Sequence, residues 1–136
     1  MLSLVRHQTR RFLGCPTAPA YVGGRNIAMK VPPHLFEATV SFYRDVIGLT
    51  PLDNHPPEVG FAFGANQLWI DRVPGLSQAE VWLELVADDV PAAAAHLAAA
   101  GVVRCDEIEP LPDGFAGFWI ANPAAIVHMV AKPDHY

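Results

Sequence analysis

Acidic residues are missing from the start of this chain: none occurs before Glu37, whereas Arg6, Arg10, Arg11, Arg25 and Lys30 all do. A basic, acid-free start fits an organelle-targeting segment or an extension read from an upstream start codon. It lacks the continuous apolar stretch of a secretory signal. Residues 1–24 are therefore read as an N-terminal extension, with Gly23 and Gly24 as a hinge. Cysteine is scarce too. Cys15 and Cys105 alone give neither a disulfide framework nor a zinc knuckle, and reduced thiols of this kind fit a cytoplasmic protein. No apolar run reaches the ~20 residues that span a bilayer, so no membrane partner is expected. Nine basic residues against fourteen acidic ones leave a formal charge of −5, which argues against nucleic acid, whose phosphates select basic surfaces. No HxH or HExxH spacing is present.

What is present is apolar. Hydrophobic residues make up 51% of 136 residues and charged ones 17%, a composition that disfavours disorder. A chain of this length buries roughly two-thirds of its unfolded surface as one domain. From residue 25 onward two units repeat the same pattern. In the first, Ile27, Met29 and Val31 alternate with Asn26, Ala28 and Lys30, the period of a strand. Pro32 and Pro33 end it and open a helix. Phe36, Val40, Tyr43 and Ile47 recur at helical spacing, flanked by Leu35, Thr39, Phe42 and Val46, and Gly48 stops the helix.

In the second unit Val81, Leu83 and Leu85 alternate with Trp82, Glu84 and Val86. Asp88 or Asp89 caps the next helix, Pro91 lies in its first turn, and Gly101 closes it. Strand-like runs follow each helix, at 50–54, 59–63 and 67–73 and then at 103–108, 117–122 and 125–130. The pattern is βαβββ twice, with modules at about 25–73 and 80–131. It predicts an α+β fold whose curved mixed sheets surround a cleft, with the helices outside.

This grammar resembles the vicinal oxygen chelate superfamily, which includes glyoxalases, bleomycin resistance proteins and extradiol dioxygenases. The resemblance covers residues 25–133. It rests on "ATVSFYRDVIGL" (38–49) as the first helix and its stop, "LVADDVPAAAAHLAAAGV" (85–102) as the second, and "GFWIANPAAIVHMVAKP" (117–133) as the closing hairpin. Metal-binding members of that superfamily place ligands on the first, fourth, fifth and eighth strands. Carried over, these positions fall on Asn26 and Trp82, each in place of a histidine. Trp69 stands where a carboxylate or histidine is expected, and His128 where a glutamate is usual. Asp71, two residues from Trp69, shares its face.

Asparagine is a weak metal donor, and indole has no usable lone pair. The resemblance with these replacements implies no metal and no cofactor, a divalent ion being the alternative. It implies a small-molecule ligand held by Asn26, Trp69, Asp71, Trp82, Glu84, Trp119 and His128, with Lys30 on the same face. A metal-dependent lyase, isomerase or dioxygenase is the alternative activity. It requires Asp71, Glu84 and His128 to converge, with His128 and Glu84 as catalytic candidates. A subunit with a filled cleft is the third reading. His34, His55, His96 and His135 are read as surface or loop residues, and His7 belongs to the extension. Members of the superfamily commonly pair, so a homodimer is expected.

Overall fold

The computed structural model describes residues 19–133; Cys15, His7 and His135 lie outside them. The elements run β1 (Tyr21–Gly23), β2 (Asn26–Val31), α1 (Pro33–Ser41), a π-helical turn (Phe42–Ile47), β3 (Val59–Phe63), β4 (Asn66–Arg72), β5 (Glu80–Ala87), α2 (Val90–Ala99), β6 (Val103–Arg104), a 3-10 turn (Asp106–Ile108), β7 (Gly117–Ala121) and β8 (Val127–Ala131). The fold is α+β, as the pattern predicts. The strands form a mixed, curved sheet in the order β3-β4-β2-β5-β8-β7-β6, with β1 paired to β5.

Each module has the same wiring. Its first and last strands are parallel neighbours, β2 with β4 and β5 with β8, and a helix covers the crossover as parallel strands require. The modules meet where β2 runs antiparallel to β5, pairing Ala28 with Trp82 and Lys30 with Glu80. The two curved halves are therefore one continuous sheet.

Alternation sorts the side chains onto two faces. On the helix side Val31, Phe61, Leu68 and Ile70 pack with Val40 of α1. Ala87, Phe118, Ile120 and Val130 pack with Ala93 of α2. Full burial of each larger side chain stabilises the fold by about 1.5–3 kcal/mol. A separate cluster of Trp82, Trp119 and Val127 lies on the other face.

The helix ends follow the sequence. Asp89 caps α2 by accepting from the Ala92 N–H at 3.0 Å, whereas Asp88 accepts from the Ala20 N–H at 3.0 Å and ties down the start of the described chain. Gly48 (φ 79°) and Gly101 (φ 77°) take the left-handed conformation that ends each helix.

Three expectations change. The run at 50–54 forms only an isolated bridge from Pro51 to Phe61; three of its five residues, Pro51, Asp53 and Asn54, are poor strand formers. The run at 103–108 pairs only over Val103–Arg104 before a 3-10 turn. Gly23 and Gly24 do not form a hinge: Tyr21–Gly23 pairs with Leu85–Ala87, and Gly24 donates to the Glu84 carbonyl at 2.8 Å. The pairing shifts between β1 and β2, so the two strands form one bulged strand along β5, a bulge being a common use of glycine within a ladder.

Candidate functional site

The face left uncovered by helices carries Asn26, Ala28 and Lys30 from β2. Gln67, Trp69 and Asp71 of β4 stand beside them in register, and Trp82 and Glu84 come from β5. From β8 and β7 the same face receives Met129 and Trp119, which pair with each other. Together with Phe115, Glu109 and His55 from loops, these side chains line a cavity of about 680 Å³. Its size fits a small-molecule pocket.

Each indole N–H is already engaged. Trp69 donates to the Asn26 side-chain oxygen at 2.7 Å, Trp82 to the Glu80 carboxylate at 3.0 Å, and Trp119 to the Glu109 carbonyl at 2.9 Å. The Trp82 and Trp119 rings meet edge to face at 5.3 Å, and His55 meets Trp69 in the same way at 5.3 Å, a favoured aromatic geometry. Gly60 sits opposite Trp69, and a Cβ there would come within 2.6 Å of the indole. Its missing side chain lets that ring lie across the neighbouring strand.

Two charged groups are buried in this wall. Glu84, 8% exposed, fills the bulge: its carboxylate accepts from the Asn26 backbone N–H at 3.2 Å and from the Asn26 amide at 3.3 Å. Lys30, 3% exposed, donates to Asp71 at 2.8 Å and Glu109 at 2.9 Å, and its ammonium lies 4.2 Å from the centre of the Trp82 ring. Burial pulls the Lys30 pKa down, but the hydrogen bonds and charges of Asp71 and Glu109 outweigh it, and the net direction is upward. Lys30 is therefore an ammonium at neutral pH. Cys105 borders the tryptophan cluster; burial, then Glu107 and Asp106, pushes its thiol pKa up, so it stays protonated.

Six of the seven expected site residues line this cavity: Asn26, Trp69, Asp71, Trp82, Glu84 and Trp119. His128 does not, which is a correction. It pairs with Leu83 and Ile120 on the helix side and lines a second, mostly apolar cavity of about 470 Å³ near the end of α2. Its Nδ1 is 3.0 Å from the Ile126 carbonyl. The eighth-strand position on the cleft face belongs to Met129. One residue along a strand changes the face, and "IVHMV" is apolar on both sides of the histidine, so alternation gave no guide. Asp71, Glu84 and His128 thus do not converge.

Sequence reasoning missed Glu109, Phe115 and His55. All three lie outside the regular strands, where periodicity carries no signal.

The donor set does not fit a divalent metal at the carried-over positions. The Asn26 oxygen is occupied by Trp69, the two tryptophans offer no lone pair, and a thioether suits soft ions only. Asp71 and Glu109 are both bound to Lys30. Among the described residues no three metal-ligating side chains come together, and no helix is long and apolar enough to cross a membrane.

No family model matches the sequence, and comparison with curated proteins finds no match. Solved structures do match. A Mn(II)-bound glyoxalase from Novosphingobium aromaticivorans superposes with a TM-score of 0.58 at 22% identity, over 87% of this chain and 43% of that one. A homoprotocatechuate 2,3-dioxygenase from Arthrobacter globiformis gives 0.57 at 19% identity, over 85% of this chain and 37% of that one. A glyoxalase/bleomycin resistance protein/dioxygenase superfamily member from Vibrio splendidus gives 0.54 at 12% identity, over 82% of this chain and all of the other. The chain thus spans less than half the length of the first two. With a βαββ module joined to a βαβββ module in one curved sheet and these neighbours, the chain has the vicinal oxygen chelate fold.

Proposed function

We propose that this protein binds a small planar molecule in the cleft between its modules, without a metal ion. The observation that carries this reading is the arrangement of Trp69, Trp82 and Trp119. All three rings line one cavity, and all three N–H groups are satisfied inside the protein. The walls therefore offer ring faces and few spare donors. Around them stand four carboxylates, Glu58, Asp71, Glu84 and Glu109, against two cations, Arg25 and Lys30. A ligand complementary to such walls is flat and brings hydrogen-bond donors or positive charge.

The test is tryptophan fluorescence of chelator-dialysed protein titrated with a planar aromatic cation and with its neutral isostere, alongside native mass spectrometry of gently purified protein. Saturable quenching that favours the cation supports the reading. Absence of binding, or binding only after Mn²⁺ is added, overturns it, and the second outcome points to a metal-dependent lyase, isomerase or dioxygenase.

The expected homodimer is part of the same proposal. Leu35, Phe42 and Val46 on the outer side of the first helical segment are exposed and suit a second copy. A monomer mass by light scattering at micromolar concentration would remove it.

A further inference from the structure

Most polar side chains of the cleft are engaged with one another. Lys30, Asp71 and Glu109 form one group, and Asn26 is held between Trp69 and Glu84. Four residues that line the cavity make no side-chain hydrogen bond or ion pair among the described residues: Asn54, His55, Glu58 and Gln67. Of these, Glu58 brings a carboxylate, and Gln67 alone is half-buried. They stand on opposite sides of Trp69. Gln67 is two residues from Trp69 on β4, and Glu58 is two residues from Gly60, the partner of Trp69 on β3. We infer that the ligand of this cleft is a single flat ring with a cationic N–H group at one end and a neutral hydrogen-bonding group at the other. The cation lies at Glu58, the ring on Trp69 and the neutral group at Gln67. This deepens the planar-ligand reading and rests on it.

Charge sets the orientation. Glu58 shares its end with Asp71 and Glu109, and Lys30 is the one ammonium among these carboxylates; Arg72 is turned to Glu37 of α1. That end is net negative and takes an N–H cation through charge-assisted hydrogen bonds. At the other end Arg25 lines the cavity, and its carbonyl accepts from the Gln67 N–H at 2.8 Å. Glu84 also stands there, beside Asn26, so opposite charges meet and a second cation gains nothing. The Gln67 amide donates and accepts, which suits a hydroxyl or an amide. Length sets the size. The two positions are about 13 Å apart along the strands. A hydrogen bond at each end takes about 3 Å, which leaves room for one ring with a substituent at either end. The Trp69 ring lies between, held across Gly60.

The test is calorimetric titration of the full-length protein with three compounds: para-hydroxybenzamidine, its neutral isostere para-hydroxybenzamide, and benzamidine, which lacks the hydroxyl. Wild type should prefer the first over both others. Glu58→Gln should lower the preference for hydroxybenzamidine over hydroxybenzamide about fivefold, the scale of a solvent-exposed ion pair. Gln67→Leu should lower the preference for hydroxybenzamidine over benzamidine about fivefold, the scale of one neutral hydrogen bond. Asp53→Asn removes a charge from the same loop at a residue that does not line the cavity, and should change neither preference. Either preference surviving its variant overturns the inference, as does an Asp53→Asn effect equal to that of Glu58→Gln. Glu58→Ala and Gln67→Ala stand in for a variant that does not fold. Failure of both variants at one position to fold also overturns it, since that side chain then serves the fold. A wild type that binds the compounds with neither preference overturns this inference alone. One that binds no planar compound overturns the cleft reading with it.

Discussion

The Trp69 indole donates to the Asn26 side chain at 2.7 Å, and the amide of the same Asn26 turns toward Glu84 at 3.3 Å. Two residues at carried-over ligand positions thus satisfy each other, and the third group is a buried carboxylate. Asn26→Leu leaves the indole N–H without its acceptor and takes the amide donor away from Glu84, which keeps the backbone N–H of residue 26 at 3.2 Å. Leaving such groups unpaired costs about 1–3 kcal/mol. Urea denaturation of Asn26→Leu should show that loss. Adding Trp69→Phe should cost less than the sum of the two single changes, because the orphaned donor goes with it.

Gly24 has no side chain because Glu84 occupies the place. A Cβ there would overlap the Glu84 carboxylate and its Cγ. Gly24→Ala must drive Glu84 out of the bulge and away from Asn26, at a cost of about 1–3 kcal/mol. In a Glu84→Ala background the same change should be close to neutral. Equal losses in both backgrounds, measured by chemical denaturation, would show that the glycine serves the backbone and not the carboxylate.

The raised Lys30 pKa fixes the direction of one pH dependence. The folded state holds this proton more tightly than the unfolded chain, whose value is near the ordinary ~10.4. The stabilisation is fully present below that value and is lost as pH rises through the higher folded pKa. Tyr21 is shifted upward too, by burial and then by Asp88, and contributes with the same sign. Melting temperature should therefore decline first as Cys105 and Tyr21 lose their contributions, above about pH 8.5 and 10, and then with the Lys30 share above about pH 10.4; that last share should be missing in Lys30→Met. Identical alkaline profiles in the two proteins would remove the Lys30 contribution.

His128 and Met129 are neighbours in sequence on opposite faces of the sheet. Met129→Ala should weaken binding of a planar ligand in the cleft severalfold, whereas His128→Ala should leave it unchanged. The fluorescence titration that tests the function reads both. A large effect from His128→Ala would return that residue to the site.

The architecture was legible because two signals were strong: alternation in β2 and β5, and glycine stops after both helical segments. The cleft face of β2, β4 and β5 followed from that alternation together with the ligand positions carried over from the resemblance. On β8 it failed. Val127, Val130 and Ala131 are buried while His128 and Met129 are intermediate, so no polar and apolar sides are written into the strand, and nothing in it corrected the ligand position that the resemblance carried onto His128. Glu109 could not be found this way. Its position depends on a loop meeting Lys30 across 79 residues, a pairing that local periodicity does not encode.

Backbone hydrogen bonds across the seam of β2 and β5 make the halves of the groove a single ribbon. The walls cannot swing apart like a jaw on a hinge without tearing that ladder. A ligand of the proposed kind would therefore enter past the loops that carry His55 and Phe115, which lie outside the sheet. Divergence in guest preference among chains of this shape should concentrate in those two loops, leaving the ribbon beneath them alike.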